Sequence, residues 1–303
     1  MKRLTAIFVA VTFCTLLSAQ TEAEFKSQYE RQVKLVGPSG VGVDYIIDKW
    51  QKVFPESKDM LGAGISYYFT KSREEKVVSK DQTSFMGEEP MLTLNDSLGR
   101  KVYYFREFFY DDDLFGRSVK IADQAIALYP DDLSFRFYKL DALVAYEKES
   151  PDMACSELLS LIDYDQTAHP VWKQGDETVE KDYFKASVQE YCHSFFIIAS
   201  PASYESFRLV SEKMNKLYPN DTVFLSNLGS YWCVAAQNNS KALSYYKKVL
   251  KIDPRDYVAV KNCVLIARKD KNVKMEKKYL PTLIEVTPSE AEKRAAQSRL
   301  KQL

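Results

Sequence analysis

The chain has 303 residues, of which 46% are hydrophobic and 28% are charged, and this composition is typical of a folded protein. Its 42 Lys and Arg residues balance its 42 Asp and Glu residues, so no basic excess indicates binding to nucleic acid. Gly and Pro are sparse, with 10 and 11 residues, which favours long helices over a turn-rich β fold.

The N-terminal residues have the pattern of a signal peptide. Two basic residues precede an apolar run over residues 4–17, which is shorter than the roughly 20 residues of a membrane-spanning helix. Ser18 and Ala19 then provide a small-residue cleavage site. We therefore predict a signal peptide over residues 1–19, with a signal anchor as the alternative. The mature protein is predicted to be exported to the periplasm or cell envelope, soluble after cleavage and without a transmembrane segment.

The segment up to Pro130 is predicted to be the least regular part of the chain. Residues 20–42 end in a stretch rich in Gly and are predicted to form a flexible N-terminal segment. Residues 43–130 are predicted to form an irregular helical repeat. Between its two helices the sequence alternates apolar and polar residues around a turn-rich centre. This pattern predicts a small β-hairpin near residues 90–106, and a helix over residues 101–110 is the alternative.

Four prolines in the rest of the chain follow a similar local pattern, and the last of them are regularly spaced. Each follows the apolar end of a predicted helix, and the last two spacings are 35 and 34 residues. These prolines are Pro130, Pro219, Pro254 and Pro288. A fixed period of this length indicates an array of repeated helix pairs, which we predict over residues 131–288.

The stretch over residues 222–254 shows the composition of one repeat. Its small and large apolar residues stand at fixed positions of two predicted helices, namely Leu225, Leu228, Gly229, Trp232, Ala242, Tyr246, Val249 and Pro254. This pattern resembles the tetratricopeptide repeat (TPR), a helix–turn–helix unit of 34 residues. The resemblance implies a right-handed superhelix of about five helix pairs with a concave groove. Small residues such as Gly229 and Ala242 would let the paired helices approach to about 8–10 Å.

The array is predicted to contain one insertion. Two predicted helices begin with Ser-Pro, at Ser150 and Ser200, and these starts lie 50 residues apart, which is 16 more than one TPR unit. We assign the surplus to the polar residues 163–178 and predict a surface loop there. Trp172 lies in this loop, so it is a candidate exposed anchor for a partner. The alternative is that its indole packs onto the array.

The C-terminal residues are predicted to cap the array. Ser289 and Glu292 have the spacing of a capping box and open a polar helix over residues 289–303. The predicted fold is therefore all-α, a TPR-like right-handed helical-repeat superhelix with a small β-hairpin insertion.

Residues that could carry chemistry are few. The chain has two histidines, and His193 follows Cys192 on a predicted helix, where adjacent side chains point about 100° apart and cannot form a nucleophile–base pair. We predict no catalytic, cofactor-binding or metal-binding site, and no enzyme. The cysteines beyond residue 19 are expected to be free, packed thiols, with Cys233 and Cys263 the one pair to consider for a disulfide. These cysteines are Cys155, Cys192, Cys233 and Cys263.

The TPR resemblance implies that function lies on the first helices, which line the groove. TPR domains that clamp a peptide carboxylate use Asn, Lys and Arg there. Asn227 and Asn262 match the Asn position, but Ser230 departs from the pattern, so the clamp is incomplete. The candidate groove residues are Ser226, Asn227, Ser230, Lys261, Asn262, Leu265 and Arg268.

Two functions are compatible with these residues. We predict a non-catalytic scaffold of the cell envelope that binds a protein or peptide through the groove and does not bind nucleic acid. The alternative is a glycan-handling accessory protein with a surface aromatic platform, because the chain has 20 Tyr and 17 Phe.

Overall fold

The computed structural model describes residues 20–180 and 182–303. The predicted signal peptide over residues 1–19 lies outside the described residues. Within the described ranges the chain is mostly helical and carries two small antiparallel sheets. Among these residues, no helix combines the length and the apolar character needed to cross a membrane.

The helices and strands alternate only in the N-terminal third and around residue 175. The helices are α1 (Glu22–Val36), α2 (Val43–Val53), α3 (Lys58–Ser72), α4 (Asp112–Leu128), α5 (Leu133–Glu147), α6 (Asp152–Ala168), α7 (Tyr183–Ile198), α8 (Pro201–Leu217), α9 (Thr222–Val234), α10 (Asn239–Ile252), α11 (Tyr257–Lys269), α12 (Val273–Val286) and α13 (Glu290–Gln302). The strands are β1 (Arg73–Lys80), β2 (Leu92–Asn95), β3 (Lys101–Tyr110), β4 (Lys173–Gln174) and β5 (Glu177–Thr178).

Helices α3 to α12 form five consecutive helix pairs. The two helices of each pair, from α3 with α4 to α11 with α12, pack against each other, and successive pairs contact through α4 with α5, α6 with α8, α8 with α9, and α10 with α11. In the last four pairs a short loop joins the two helices, which makes them antiparallel neighbours. Contacts between adjacent repeats are the defining property of a helical-repeat array. The prediction of an all-α, TPR-like superhelix with a small β insertion is confirmed.

Capping side chains set where the helices of the array begin. The predicted Ser-Pro start of α8 is confirmed, because the Ser200 hydroxyl accepts a hydrogen bond from the amide of Ser203 at 3.0 Å. Helix α6 is capped differently. There the Glu147 carboxylate accepts hydrogen bonds from the amides of Met153 and Ala154 at 2.6 and 2.8 Å. Helix α6 therefore begins after its Ser-Pro dipeptide.

The prediction of a flexible segment over residues 20–42 is corrected by the structure. Helix α1 occupies most of this segment and begins with a capping box at Thr21. Its Phe25 is buried and stacks on Trp50 of α2, with ring centroids 6.2 Å apart. The Gly-rich residues form the turn between α1 and α2, and Gln32 donates a hydrogen bond to the Val41 carbonyl at 2.6 Å. The segment is ordered because one aromatic side chain ties it to the core.

The β insertion of the first pair is larger than the sequence indicated. Strands β2 and β3 form the predicted hairpin, and residues 101–110 are a strand and not a helix. Strand β1 also pairs with β3, so the sheet has three antiparallel strands in the order β1-β3-β2. Glu107 on β3 lies between Lys80 of β1 and Lys148, and both ammonium groups contact its carboxylate, at 3.2 and 2.6 Å.

The predicted loop over residues 163–178 is also corrected. Helix α6 continues to Ala168, and the remaining residues form the short β4–β5 hairpin. The Gly175 amide in this hairpin donates hydrogen bonds to Asp132 and Ser134 of the preceding pair, both at 3.2 Å. Lys58 of α3 donates to the Gly175 carbonyl at 3.0 Å. The insertion is thus a strap that connects the second and third pairs to the first.

Buried side chains form separate clusters along the array. The central cluster extends from Phe115 to Phe224 and lies among α4 to α9. The C-terminal cluster extends from Leu225 to Ala296 and lies among α9 to α13. Phe224 and Leu225 are neighbours on α9, so this helix contributes to both clusters.

A buried carboxylate links the last three helices. Glu276 of α12 is 2% exposed and accepts hydrogen bonds from Arg268 of α11 at 2.7 Å and from Arg299 of α13 at 2.9 Å. Both guanidinium groups retain contact with solvent, while the carboxylate does not. The arrangement fixes α13 against the last pair.

The predicted capping box at α13 is only half formed. Ser289 caps the helix by accepting a hydrogen bond from the Glu292 amide at 3.3 Å. The Glu292 carboxylate does not return to the Ser289 backbone. It accepts hydrogen bonds from the Tyr257 hydroxyl and from Lys261 at 2.8 and 3.2 Å, so it holds α11 and α13 together instead.

The close approach of α9 and α10 requires glycine at position 229. A Cβ atom there would lie 2.6 Å from Cε1 of Tyr246, whose ring is fully buried. We expect Gly229→Ala to cost about 1–3 kcal/mol by overpacking, offset by about 1 kcal/mol of helix propensity, for a net loss of about 1 kcal/mol in the free energy of unfolding. Chemical denaturation monitored by circular dichroism measures this change.

Gly116 provides the matched control for this substitution. It lies on an exposed face of α4, and a Cβ atom added there meets nothing within 4 Å. Gly116→Ala is therefore expected to raise the free energy of unfolding by up to about 1 kcal/mol. Equal effects of the two substitutions would contradict the assigned contact between Gly229 and Tyr246.

Candidate functional site

The first helices of three successive pairs enclose a cavity, which we name the α7–α9–α11 slot. Its volume is about 290 Å³. It is lined by Gln189, His193 and Phe196 of α7, Phe207 of α8, Thr222, Val223, Ser226, Asn227 and Ser230 of α9, and Asp256 and Val258 at the start of α11. Its walls therefore combine apolar rings with hydrogen-bonding groups, and Asp256 is the one charged residue among them.

The polar side chains of the slot differ in whether they have hydrogen-bond partners within the protein. Asn227 donates a hydrogen bond to Gln189 at 2.7 Å, and the Ser230 hydroxyl lies 3.1 Å from the Tyr246 hydroxyl. The hydroxyl of Ser226 has no hydrogen-bond partner among the described residues, although the side chain is only 7% exposed. A buried polar group without a partner costs about 1–3 kcal/mol. The Ser226 oxygen is itself closed to solvent, so it offers no contact to a ligand in the cavity as the cavity stands.

The slot contains no cationic side chain among its described lining residues. Its one carboxylate belongs to Asp256, which accepts a hydrogen bond from the Ala259 amide at 2.8 Å and thereby caps α11. This hydrogen bond uses one of its two oxygens. The slot is consequently suited to a neutral ligand and not to a terminal carboxylate, which requires a cation or several free donors.

The structure divides the predicted groove residues into two groups. Ser226, Asn227 and Ser230 lie together in the slot. The other four residues, Lys261, Asn262, Leu265 and Arg268, lie on α11 and do not line it.

The polar side chains of the second group are engaged inside the protein. Lys261 contacts Glu292, Arg268 contacts Glu276, and the Asn262 amide donates a hydrogen bond to the Val258 carbonyl at 2.9 Å. Leu265 is exposed. The cations that a carboxylate clamp would use are thus neutralised by carboxylates of α12 and α13, and no clamp is assembled on α11.

Sequence reasoning missed the contribution of α7. Gln189 and His193 line the slot, and Phe196 forms part of its wall. The α7 repeat lacks the L-x-x-L-G-x-x-W spacing, so its groove-facing positions could not be aligned with those of α9. Gln189 and Asn227, which are hydrogen-bonded, lie 38 residues apart, close to the length of one repeat. This spacing was the one sequence signal that could have placed Gln189 beside Asn227.

Trp172 is corrected from an exposed anchor to a buried residue, 7% exposed. Its ring stacks on Phe184, with centroids 5.5 Å apart, and lies 5.9 Å from the ring of Tyr164. Its indole N–H donates a hydrogen bond to Asp165 at 2.8 Å. Helix α6 extends far enough to place Asp165 beneath the hairpin, so both the apolar and the polar parts of the indole are satisfied.

Burial raises the pKa of several thiol and carboxyl groups of the described residues. The four cysteines of the described residues are free, and burial raises the pKa of the Cys192 thiol to about 12 and that of Cys263 to about 11. Burial also raises the pKa of Asp141, which accepts a hydrogen bond from Tyr191 away from the slot. Over the described ranges, no three His, Cys, Asp or Glu residues are grouped to hold a metal ion.

Comparison with known proteins finds similarity in structure alone. No protein-family model matches the chain, and no curated protein is similar to it in sequence. Among solved structures, it is similar to YrrB, described as a TPR protein with an unusual peptide-binding site, at 14% identity and a TM-score of 0.38 over 61% of this chain and 84% of that chain.

Two further solved structures share the likeness. MamA has 12% identity and a TM-score of 0.36 over 60% of this chain and 92% of that chain. The human IFIT1 dimer with m7Gppp-AAAA has 11% identity and a TM-score of 0.31 over 88% of this chain and 50% of that chain. The helix pairs and their contacts define this chain as a helical-repeat protein of TPR-like fold.

Proposed function

We propose that the protein is a non-catalytic scaffold that binds a neutral segment of a protein or peptide in the α7–α9–α11 slot. The observation that carries this proposal is the slot itself, where side chains from the first helices of three successive pairs line one open cavity of about 290 Å³. Polar side chains of the lining, such as Gln189, Asn227 and Ser230, can hydrogen-bond the backbone of a bound segment. No chemical step is involved.

The walls of the slot define what the segment offers. Phe196 and Phe207 form an apolar surface that accepts one small apolar side chain, and about 290 Å³ leaves room for little more. His193 is placed beside them and can hydrogen-bond a backbone group. Because cations are absent from the described lining, an internal segment is favoured over a charged C-terminus.

The first test places a charge in the slot without disturbing the fold. Val223 lines the slot and is 44% exposed, so Val223→Lys is expected to leave the free energy of unfolding within about 0.5 kcal/mol of wild type. Peptides selected by phage display on the chain from residue 20 to 303 are expected to bind this variant at least about tenfold more weakly, a loss of about 1.4 kcal/mol. Isothermal titration calorimetry measures the difference.

Val234→Lys is the matched control. Val234 is 46% exposed at the other end of α9 and does not line the slot. It makes the same change of charge, so its affinity for the selected peptides should stay within about twofold of wild type. Failure to enrich any peptide, or equal affinities of the two variants, would contradict the proposal.

The envelope location is proposed from the N-terminal pattern. Residues 1–19 have the charge, apolar run and small residues of a signal peptide. We expect the protein recovered from a periplasmic or envelope fraction to begin at Gln20 when its N-terminal residues are sequenced. A protein that begins at Met1 and remains in the cytoplasm would contradict this location.

The most exposed aromatic side chains of the described chain do not support the glycan-handling alternative. The most exposed Tyr and Phe side chains of the described chain are Tyr45, Tyr138 and Phe109, which lie on α2, α5 and β3. Glycan-binding platforms need neighbouring rings on one surface. We therefore favour the peptide-binding scaffold.

A further inference from the structure

Charge is strongly segregated along this chain of zero net charge. Residues 239–303 contain sixteen Lys and Arg against seven Asp and Glu. Residues 20–238 contain twenty-four Lys and Arg against thirty-five Asp and Glu. The C-terminal pairs therefore present a positive field although the whole protein is neutral.

Part of this positive charge converges on one depression between the second helices α10 and α12, which we name the lysine depression. It has a volume of about 430 Å³ and is lined by Lys247 and Lys251 of α10 and by Lys278 of α12. Leu250 and the buried Tyr279 also line it. Lysine and apolar side chains thus line the same depression.

These three lysines lack internal counter-charges. Within the described residues, none of their ammonium groups lies within 4 Å of a carboxylate, whereas nearby Lys261 and Arg268 are each paired with one. Like charges that converge without a counter-charge repel one another. An anionic ligand would relieve this repulsion and gain several favourable contacts together.

We propose that the lysine depression binds an acidic polypeptide segment. Its carboxylates contact Lys247, Lys251 and Lys278, and one apolar side chain rests on Leu250. The complementarity of charge carries the choice of an anionic partner. This second surface lies on the second helices and is independent of the slot on the first helices.

Two features favour a polypeptide over the other anionic macromolecules. Tyr279 is buried, so it offers no exposed ring on which a nucleic-acid base could stack. The apolar residues line a recess and do not protrude, as insertion into a lipid surface requires. Side chains of an extended acidic segment can reach into such a recess.

The test uses the chain from residue 20 to 303 and a fluorescein-labelled Glu-rich peptide with a central Leu. Its counterpart with Gln in place of every Glu is the ligand control. Fluorescence anisotropy is expected to show binding of the Glu-rich peptide that weakens with added salt, and weaker binding of the Gln counterpart. The triple substitution Lys247→Gln, Lys251→Gln and Lys278→Gln is expected to reduce the affinity by about tenfold or more.

The matched control changes three exposed lysines of the same helices that lie outside the depression, by Lys248→Gln, Lys274→Gln and Lys277→Gln. It removes the same net charge and should alter the affinity by less than about threefold. Circular dichroism verifies that both triple variants are folded. Equal losses in the two variants, no binding of the Glu-rich peptide, or binding only of anionic phosphatidylglycerol vesicles or of single-stranded oligothymidine would each overturn the proposal.

Discussion

Replacement of Trp172 by alanine is expected to lower the free energy of unfolding by about 3–5 kcal/mol. The indole is buried between Phe184 and Tyr164, so its removal leaves a cavity in the central cluster. Asp165 would also lose the hydrogen bond from the indole N–H. Urea denaturation followed by circular dichroism measures the loss.

An exposed aromatic residue serves as the control for this prediction. Tyr138 on α5 is 51% exposed, and Tyr138→Ala is expected to change the free energy of unfolding by less than about 0.5 kcal/mol. Trp172→Ala would show a similarly small change if the tryptophan were the exposed anchor that its polar sequence context suggests. That outcome would contradict the packing of the β4–β5 hairpin.

Substitution of Glu276 by glutamine is expected to destabilise the C-terminal cluster by about 1.5–3 kcal/mol at neutral pH, the usual worth of hydrogen bonds to a charged group. The buried carboxylate receives hydrogen bonds from Arg268 and Arg299, and the amide can replace neither its charge nor its two acceptor oxygens. The amide nitrogen would also face a guanidinium donor. Hydrogen exchange of α11 to α13 and urea denaturation both detect this loss.

The effect of this substitution should depend on pH. The hydrogen bond from Arg299 lowers the pKa of the Glu276 carboxyl below its usual 4.5, burial opposes this shift, and the hydrogen bond from Arg268 adds to it. A carboxylate whose pKa is lower in the folded state contributes stability above its unfolded pKa and loses it as the pH falls through the folded pKa. The difference between wild type and variant should therefore shrink below about pH 4.5.

Glu285→Gln provides the control, because Glu285 pairs with Arg255 at 3.0 Å on the surface, where both side chains are exposed. A surface pair contributes about 0–1 kcal/mol. A Glu285 variant that is as destabilised as the Glu276 variant, or a Glu276 effect that persists unchanged in acid, would count against the buried network.

The regular repeat could be predicted because its signals are local. Gly229 and Tyr246 must occupy fixed positions for two helices to pack closely, so their spacing in the sequence reports the fold directly. The Ser-Pro start of α8 and the turn-rich centre of the β2–β3 hairpin are similarly local. These features were predicted correctly because each depends on residues that are neighbours in the chain.

The features that were missed depend on contacts between distant residues. Strand β1 has the sequence REEKVVSK, which has little apolar alternation, and it forms because β3 offers it a pairing edge. Helix α1 is ordered by the contact of Phe25 with Trp50. The burial of Trp172 depends on where α6 ends. No local pattern encodes these contacts.

The positions of the candidate groove residues could be predicted only in part, for the same reason. Ser226, Asn227 and Ser230 were selected from their positions on one helix, and the structure places them together. Arg268 was selected by the same rule, but its guanidinium group forms an ion pair with Glu276 on another helix. Ion pairs between helices determine which Lys and Arg side chains remain free to bind a ligand. The spacing of residues in the sequence does not show these pairs.

The division of the buried residues into a central and a C-terminal cluster has a consequence for how the protein unfolds. Among the described helices, α9 is the one that contributes to both clusters, through the neighbouring residues Phe224 and Leu225. The helices from α10 onward can therefore open as a cooperative unit while the central cluster stays folded. The slot draws its walls from α7, α9 and the start of α11, so it exists only while both units are closed. A ligand that binds the slot therefore stabilises the state in which both units are folded. With the ligand bound, the two units are expected to unfold together.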